Sequence, residues 1–398
     1  MKRNWFILWG TICLPIIWVI LRISGWDWEV YSILTVCLSG IGIVCAAFLL
    51  CWASESAQKD VSQVLALAFL ALIAVLPEYA VDMYFTWMGG KNPSYIPYAT
   101  ANMTGANRLL IGCGWSLVVI LYWITKKAPG IELEESHKIE LSYLCMATLY
   151  SFIIPIKGSL AIFDAIIFVL LFVLYITSAA RAKIIEPELI GVPENIGNLP
   201  QTTRRITVIS LFLYAGFLIF ISAKPFAEGL ITTGRIFKIE EFILVQWIAP
   251  LASEAPELIA ASLFVLKAQP TMGLGTLISS KVNQWTLLVG LIPVIFCISS
   301  GKIELMCIDD RQREEIFLTA AQSAFAVSIL VNLHLSVKEA LIIFILFFTQ
   351  LLLPSKEIRL IYSFLYLILT IFILVKDKTR LKGLLSLIVE GLLIKRKG

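Results

Sequence analysis

APLASEAPELIAASLF, Ala249 to Phe264, is apolar enough to lie in a bilayer, yet it carries two carboxylates, Glu254 and Glu257, beside Pro256. A charge at the centre of a spanning helix costs about 2.5–3.5 kcal/mol on insertion scales. A second stretch repeats the pattern: ALIAVLPEYAVDMYF, Ala71 to Phe85, has Pro77-Glu78 and then Asp82. Proline lacks an N–H, so Pro256 takes the helical donor from the Ala252 carbonyl, and Pro77 does the same to Ile73. An unpaired carbonyl is costly in lipid; facing a cation it becomes a ligand. Ser253, Glu254 and Glu257 share one helix face, as do Glu78 and Asp82. Hard cations such as Ca2+ take such oxygens from carboxylates, carbonyls and hydroxyls. The two stretches predict a cation site near the membrane centre.

The rest of the chain supplies the membrane domain. Of 398 residues, 59% are hydrophobic and only 15% charged, where a soluble domain carries roughly a quarter charged residues. Mean hydropathy is +0.87. Apolar runs near 20 residues, the length that spans a bilayer as a helix, predict spans at 5–22, 31–53, 61–87, 97–123, 139–156, 159–179, 206–223, 241–267, 270–299, 315–333, 336–353 and 357–375. The fold class is therefore all-α and polytopic, with about twelve transmembrane helices; the alternation of a membrane β-barrel is absent. The N-terminal run is long and lacks a cleavage site, so it reads as a retained span. A net charge of +4 gives no reason to expect a nucleic-acid partner. The partners to expect are the lipid bilayer and inorganic cations. The eight cysteines are scattered without a CxxC pair and read as small buried residues.

Cytoplasmic loops collect Lys and Arg. Lys2 and Arg3 place the N-terminus inside, and the bases between Lys376 and Lys397 place the C-terminus there too. The loop Lys302–Arg313 falls outside, its bases offset by Glu304, Asp309, Asp310, Glu314 and Glu315. The tail TRLKGLLSLIVEGLLIKRKG interleaves leucines with bases, as an amphipathic helix on the inner surface does. The expected location is the plasma (inner) membrane.

Each Pro-Glu stretch is followed by a short break and a second polar-spotted span: YATANMTGANRLLIGCG (Tyr98–Gly114) and MGLGTLISSKVNQWTLLVG (Met272–Gly290). Thr104 and Asn107 in the first match Ser280 and Asn283 in the second, completing a shell of neutral oxygens. On this topology the span of Glu78 runs outward and that of Glu257 inward, so the repeats are inverted, a transporter signature. Arg108 and Lys281 also lie in these second spans. An unpaired buried base is as costly as an unpaired acid, so both should point away from Glu78 and Glu257 or pair with Asp82 and Glu254.

These stretches resemble the two α-repeats of the cation/calcium exchanger superfamily. IAVLPE and ASEAPE stand where that family carries a Gly-Thr-Ser-Leu-Pro-Glu signature; ANMTGAN and GTLISSK stand where it carries Gly-Asn-x-x-Gly-Ser-Asn. The resemblance implies an alternating-access antiporter built of two inverted five-helix repeats plus one extra helix at each end. It implies residues 1–30 as an extra N-terminal helix, 31–180 and 206–353 as exchanger repeats, 181–205 as a cytoplasmic linker, and 354–398 as an extra helix with a basic tail. It implies Ca2+ exchanged for Na+ or H+, with Glu78 and Glu257 as principal ligands and Asn107 and Asn283 as accessory ones. The departures are Ala74 and Val75 in place of hydroxyls, Glu254 in place of a serine, and the two bases. Monovalent Na+/H+ exchange and an ion-pair-locked scaffold are the alternatives. No enzyme is expected and no cofactor: His137 and His334 fall in loops, and there is no HExxH.

Overall fold

The computed structural model describes residues 2–25, 31–57, 59–60, 76–180, 189–353 and 355–392. The chain forms two compact units, each drawn from both halves of the sequence: Met1–Phe85 with Lys183–Glu257, and Thr86–Ala182 with Leu258–Gly398.

In the first unit α1 (Lys2–Cys13) and α2 (Ile16–Ile23) are separated at Pro15. They are followed by α3 (Ser32–Ala57) and the start of α4 (Leu76–Lys91). Short α10 (Val192–Gly197), long α11 (Gln201–Phe237) and α12 (Glu241–Leu266) up to Glu257 complete it. Helix α3 lies along α11, and Ala46, Leu49, Leu50 and Ala53 join Leu211, Ala215 and Leu218 in the core. Small residues permit this approach. A Cβ on Gly42 would stand 2.9 Å from Ser222 Oγ, the atom that accepts a 3.0 Å hydrogen bond from Trp18 Nε1. Helix α11 is 37 residues long, about 55 Å at 1.5 Å per residue, and runs well past the predicted end at residue 223.

The second unit contains two helices of one design. Helix α5 (Ile96–Leu109) passes through one π-helical turn, Leu110–Trp115, into α6 (Ser116–Lys126). Helix α13 (Pro270–Asn283) passes through a π turn, Gln284–Leu288, into α14 (Val289–Ser300). Both begin with proline in their first turn, where its missing N–H costs nothing. The other helices are α7 (Lys138–Ser151), α8 (Ile153–Lys157), α9 (Ile162–Ala179), α15 (Asp310–Leu330), α16 (Val337–Leu352), α17 (Lys356–Lys376) and α18 (Lys378–Leu392). Two short antiparallel pairs clip loops together: β1 (Gly130–Glu132) with β4 (His334–Ser336), and β2 (Ser159–Leu160) with β3 (Met306–Cys307). Helix α15 packs on α17 and α7.

Eight helices among the described residues are long and apolar enough to cross a membrane, and a ninth if the two bent pieces of α12 count as one. Part of the expected span at 61–87, including Ile73, Ala74 and Val75, lies outside the described residues. The expected spans at 315–333 and 336–353 are present as helices, but α15 opens on a charged turn and α16 has only 16 residues. The tail forms helix α18, which packs on α7, and Arg380 meets Glu339 at 2.8 Å. The cysteines are all free thiols, but Cys13, Cys37 and Cys307 are exposed rather than buried.

Candidate cation site

Both Pro-Glu acids sit on helices in the first unit. The pieces of α12 on either side of Pro256, Glu241–Ala255 and Glu257–Leu266, meet at 49°, as expected where a proline removes a ladder bond. Glu78, Asp82, Ser253, Glu254 and Glu257 are all buried in this unit. The Glu78 and Glu257 carboxylates lie within electrostatic reach of each other. Glu78 and Asp82 both act on the phenol of Tyr79. Ser253 donates its hydroxyl proton back to its own helix, at Ala249 O (3.2 Å) and Pro250 O (3.3 Å), which leaves only its lone pairs for another partner.

Two further acids escape the sequence reading. Cys51 Sγ donates to Glu55 Oε1 at 3.1 Å on α3, and Cys51 also feels the charge of Glu257. On α11, Glu228 accepts from the Tyr84 hydroxyl. Both acids lie beyond the predicted span ends at 53 and 223, on helices that continue past the last apolar residue. Among the described residues no three His, Cys, Asp or Glu side chains converge at metal-ligand spacing.

The second unit holds Thr104, Asn107, Ser280 and Asn283, all buried. Thr104 bonds back to Thr100 O at 2.7 Å, and Ser280 Oγ has no hydrogen-bond partner among the described residues. Asn107 Nδ2 donates to Met103 O at 2.8 Å, while its Oδ1 accepts from Lys281 Nζ at 2.7 Å. The π turns reveal the register of the repeats. Asn107 stands three residues before Leu110, and Lys281 three before Gln284. Asn107 therefore corresponds to Lys281, as the ANMTGAN and GTLISSK motifs also align them, and the Ser/Thr-x-x-Asn pairing of Thr104 and Asn107 with Ser280 and Asn283 is offset from this register by two residues.

Arg108 turns to partners within its own unit. Its Nη2 is 2.7 Å from Glu315 Oε2 and its Nη1 donates to Gln350 Oε1 at 3.0 Å. Glu314 beside it meets Arg359 at 2.9 Å and Lys356 at 3.3 Å. Glu314 and Glu315 are buried members of α15, so the expectation that they offset bases in an outer loop is corrected. Aspartates and glutamates at a helix start favour the positive end of its dipole, and Asp309 caps the same turn by accepting from Gln312 N at 2.8 Å.

The family model for "sodium/calcium exchanger protein" matches residues 31–180 and again 207–356. The chain belongs to the sodium/calcium exchanger family. A crystal structure of the H+/Ca2+ exchanger CAX resembles this exchanger with a TM-score of 0.93 and 45% identity, over 99% of both chains. Two structures of the sodium-calcium exchanger NCX_Mj share the fold with TM-scores of 0.53. One, soaked with Na+ and no Ca2+, is 15% identical over 82% of this chain and 99% of its own. The other, soaked with Na+ and Sr2+, is 14% identical over 84% and 99%. No curated protein sequence matches. The exchanger is an integral, multi-pass membrane protein of helices, and its two family matches coincide with the two Pro-Glu repeats.

Proposed function

We propose that this exchanger moves Ca2+ across the membrane by alternating access, in antiport with H+. The observation that carries the reading is the pair of buried acids, Glu78 and Glu257, one in each family repeat. A 45% identical H+/Ca2+ exchanger matched along 99% of both chains supports protons as the counter-ion. Two carboxylates give the coupling a physical basis. One Ca2+ or two protons each neutralise the pair, and only a neutralised pair is cheap to carry through a low-dielectric interior. Two charged acids with no ion repel each other, so the empty site resists the transition that would leak the gradient.

Glu78 and Glu257 are the principal ligands in this reading. Asp82, Ser253 and Glu254 add oxygens in the first unit, Thr104, Ser280 and Asn283 are further candidate ligands in the second, and Asn107 belongs with Lys281. The transported ions, Ca2+ and H+ in this reading, are cargo, and no cofactor is needed. We further propose twelve spans with both termini cytoplasmic in the plasma (inner) membrane, on the Lys/Arg bias of the loops. The repeats are 31–180 and 206–353, joined by 181–205 and flanked by 1–30 and 354–398.

Purified protein in sealed vesicles tests the reading. A pH gradient should drive radiolabelled Ca2+ against its own gradient, and Ca2+ should in turn move protons. Glu78→Gln and Glu257→Gln should each abolish both fluxes, while Lys126→Gln leaves them unchanged. Flux retained in both Gln variants would remove the acids from the transport site. Ca2+ uptake driven by a Na+ gradient but not by a pH gradient would make Na+ the counter-ion.

A further inference from the structure

Lys281 has 0% of its surface exposed. Its ammonium lies 2.7 Å from Asn107 Oδ1 and 3.2 Å from the Asn107 carbonyl oxygen. The Trp285 ring centre is 4.5 Å away, a distance at which the aromatic face attracts a cation. The amide of Asn107 is fixed from its other side, because Nδ2 is committed to Met103 O. Its oxygen therefore has to face the lysine. The π turns place Asn107 and Lys281 at the same position of the two repeats, so one structural position holds a ligand oxygen in the first and a positive charge in the second.

A neutral side-chain oxygen and a backbone carbonyl, side by side in a buried polar site, are the donors that a small hard cation takes. The ammonium makes the same demand: one positive charge that needs oxygens. It differs in being tethered to the chain, so no gradient can exchange it. We infer that Lys281 is a built-in monovalent cation: it occupies the Asn107 oxygens that free Na+ would otherwise bind, and so makes exchange independent of Na+. Lys281 acts here through Asn107 as a residue that sets specificity, with no part in carrying the transported ion. The inference rests on the antiport reading above, but its test has one arm that does not.

The experiment compares wild type, Lys281→Ala and Lys281→Met in NaCl and in choline chloride of equal ionic strength. Lys281→Ala removes the ammonium and leaves space beside Asn107; Lys281→Met fills that space with an apolar chain. The first readout is the melting temperature of the purified protein. Na+ should stabilise the Ala variant over choline, by mass action on a newly opened site, and should do so for neither wild type nor the Met variant. The second is Ca2+ flux under a pH gradient. Wild-type flux should be equal in both salts. The Ala variant should lose roughly tenfold in choline, the scale of one charge-assisted hydrogen bond, and regain much of it in Na+. The Met variant should stay low in both. A Na+ response of wild type in either readout overturns the inference, and so does an Ala variant indifferent to Na+ in both. If the Ala variant does not fold, Lys281→Asn, which restores the first repeat's residue, takes its place under the same criteria. Should wild type carry no Ca2+ under any gradient, the antiport reading fails, while the melting comparison still decides the role of Lys281.

Discussion

Arg108 follows Asn107 directly, yet the two side chains serve different ends: Asn107 meets Lys281, and Arg108 meets Glu315 and Gln350. Removing one partner of a buried ion pair leaves the other uncompensated, at about 3–5 kcal/mol. Glu315 would keep the longer contact with Arg359 Nε, at 3.8 Å, and lose the shorter one with Arg108, so Arg108→Gln should lower the melting temperature of the detergent-purified protein, and Arg108→Gln with Glu315→Gln should recover most of the loss. A double variant no better than the single one would show that the pairing is incidental. Glu257→Gln should do the reverse. It removes a buried charge, so stability should hold or rise while Ca2+ flux is lost. The acids were legible in the sequence because each stands beside a proline inside an apolar run. The partner of Arg108 was not, because Glu315 follows five other charged residues, Asp309, Asp310, Arg311, Arg313 and Glu314, at a helix start and there reads as part of a polar loop. Only tertiary contact with α17 turns that face inward.

At the scale of elements, the π turns carry most of the information. An extra residue in a helical turn re-aims the side chains before it, and no local propensity announces where that happens. The Ser/Thr-x-x-Asn spacing sets Asn107 against Asn283, whereas the ANMTGAN and GTLISSK motifs set it against Lys281, the register that the π turns share. The turn at Leu110–Trp115 also admits α16 very closely. A Cβ on Gly112 would stand 2.1 Å from Phe347 Cγ, whereas one on Gly216 of α11 would meet nothing within 4 Å. Gly112→Ala should destabilise the protein by about 1–3 kcal/mol through overpacking. Gly216→Ala should stabilise it by about 0.5–1 kcal/mol, since alanine loses less backbone entropy in a helix. Thermal unfolding of both variants reads the signs directly, and equal signs would contradict this account. Helix ends were the other weak point. Apolar periodicity stops where a helix leaves the hydrocarbon, but hydrogen bonding does not. Glu55 and Glu228 fall outside the predicted spans for this reason.

At the scale of the whole molecule, each compact unit takes a piece from both halves of the chain, something an inverted repeat suggests but hydropathy cannot resolve. In the first unit, the loop after α3 is tied to the start of α11. Arg204 Nη2 donates to Asp60 Oδ1 at 2.8 Å and its Nε to Oδ2, with Arg205 at 3.2 Å. The guanidinium of Arg204 lowers the Asp60 carboxyl from its ordinary 3.8 to about 2. A depressed carboxyl stabilises the fold above its unfolded value and loses that contribution as pH falls through the folded one. Arg204→Gln should thus cost about 1 kcal/mol at neutral pH, the scale of a partly solvated pair. The deficit should shrink between about pH 4 and pH 2, where the wild type loses the same contribution. A difference between wild type and variant that stays constant across that window would rule out the pair as its source. Asn107 and Lys281 have a consequence for ancestry. Two copies of the first half would set amide against amide, with no ammonium between them. Two copies of the second would set ammonium against ammonium, a buried like-charge contact. Neither symmetric ancestor can form the hydrogen bond seen here, whereas a fused chain always contains one of each. Fusion thus does for the two halves what a heterodimer interface does for separate subunits: it excludes the wrong pairing before assembly begins.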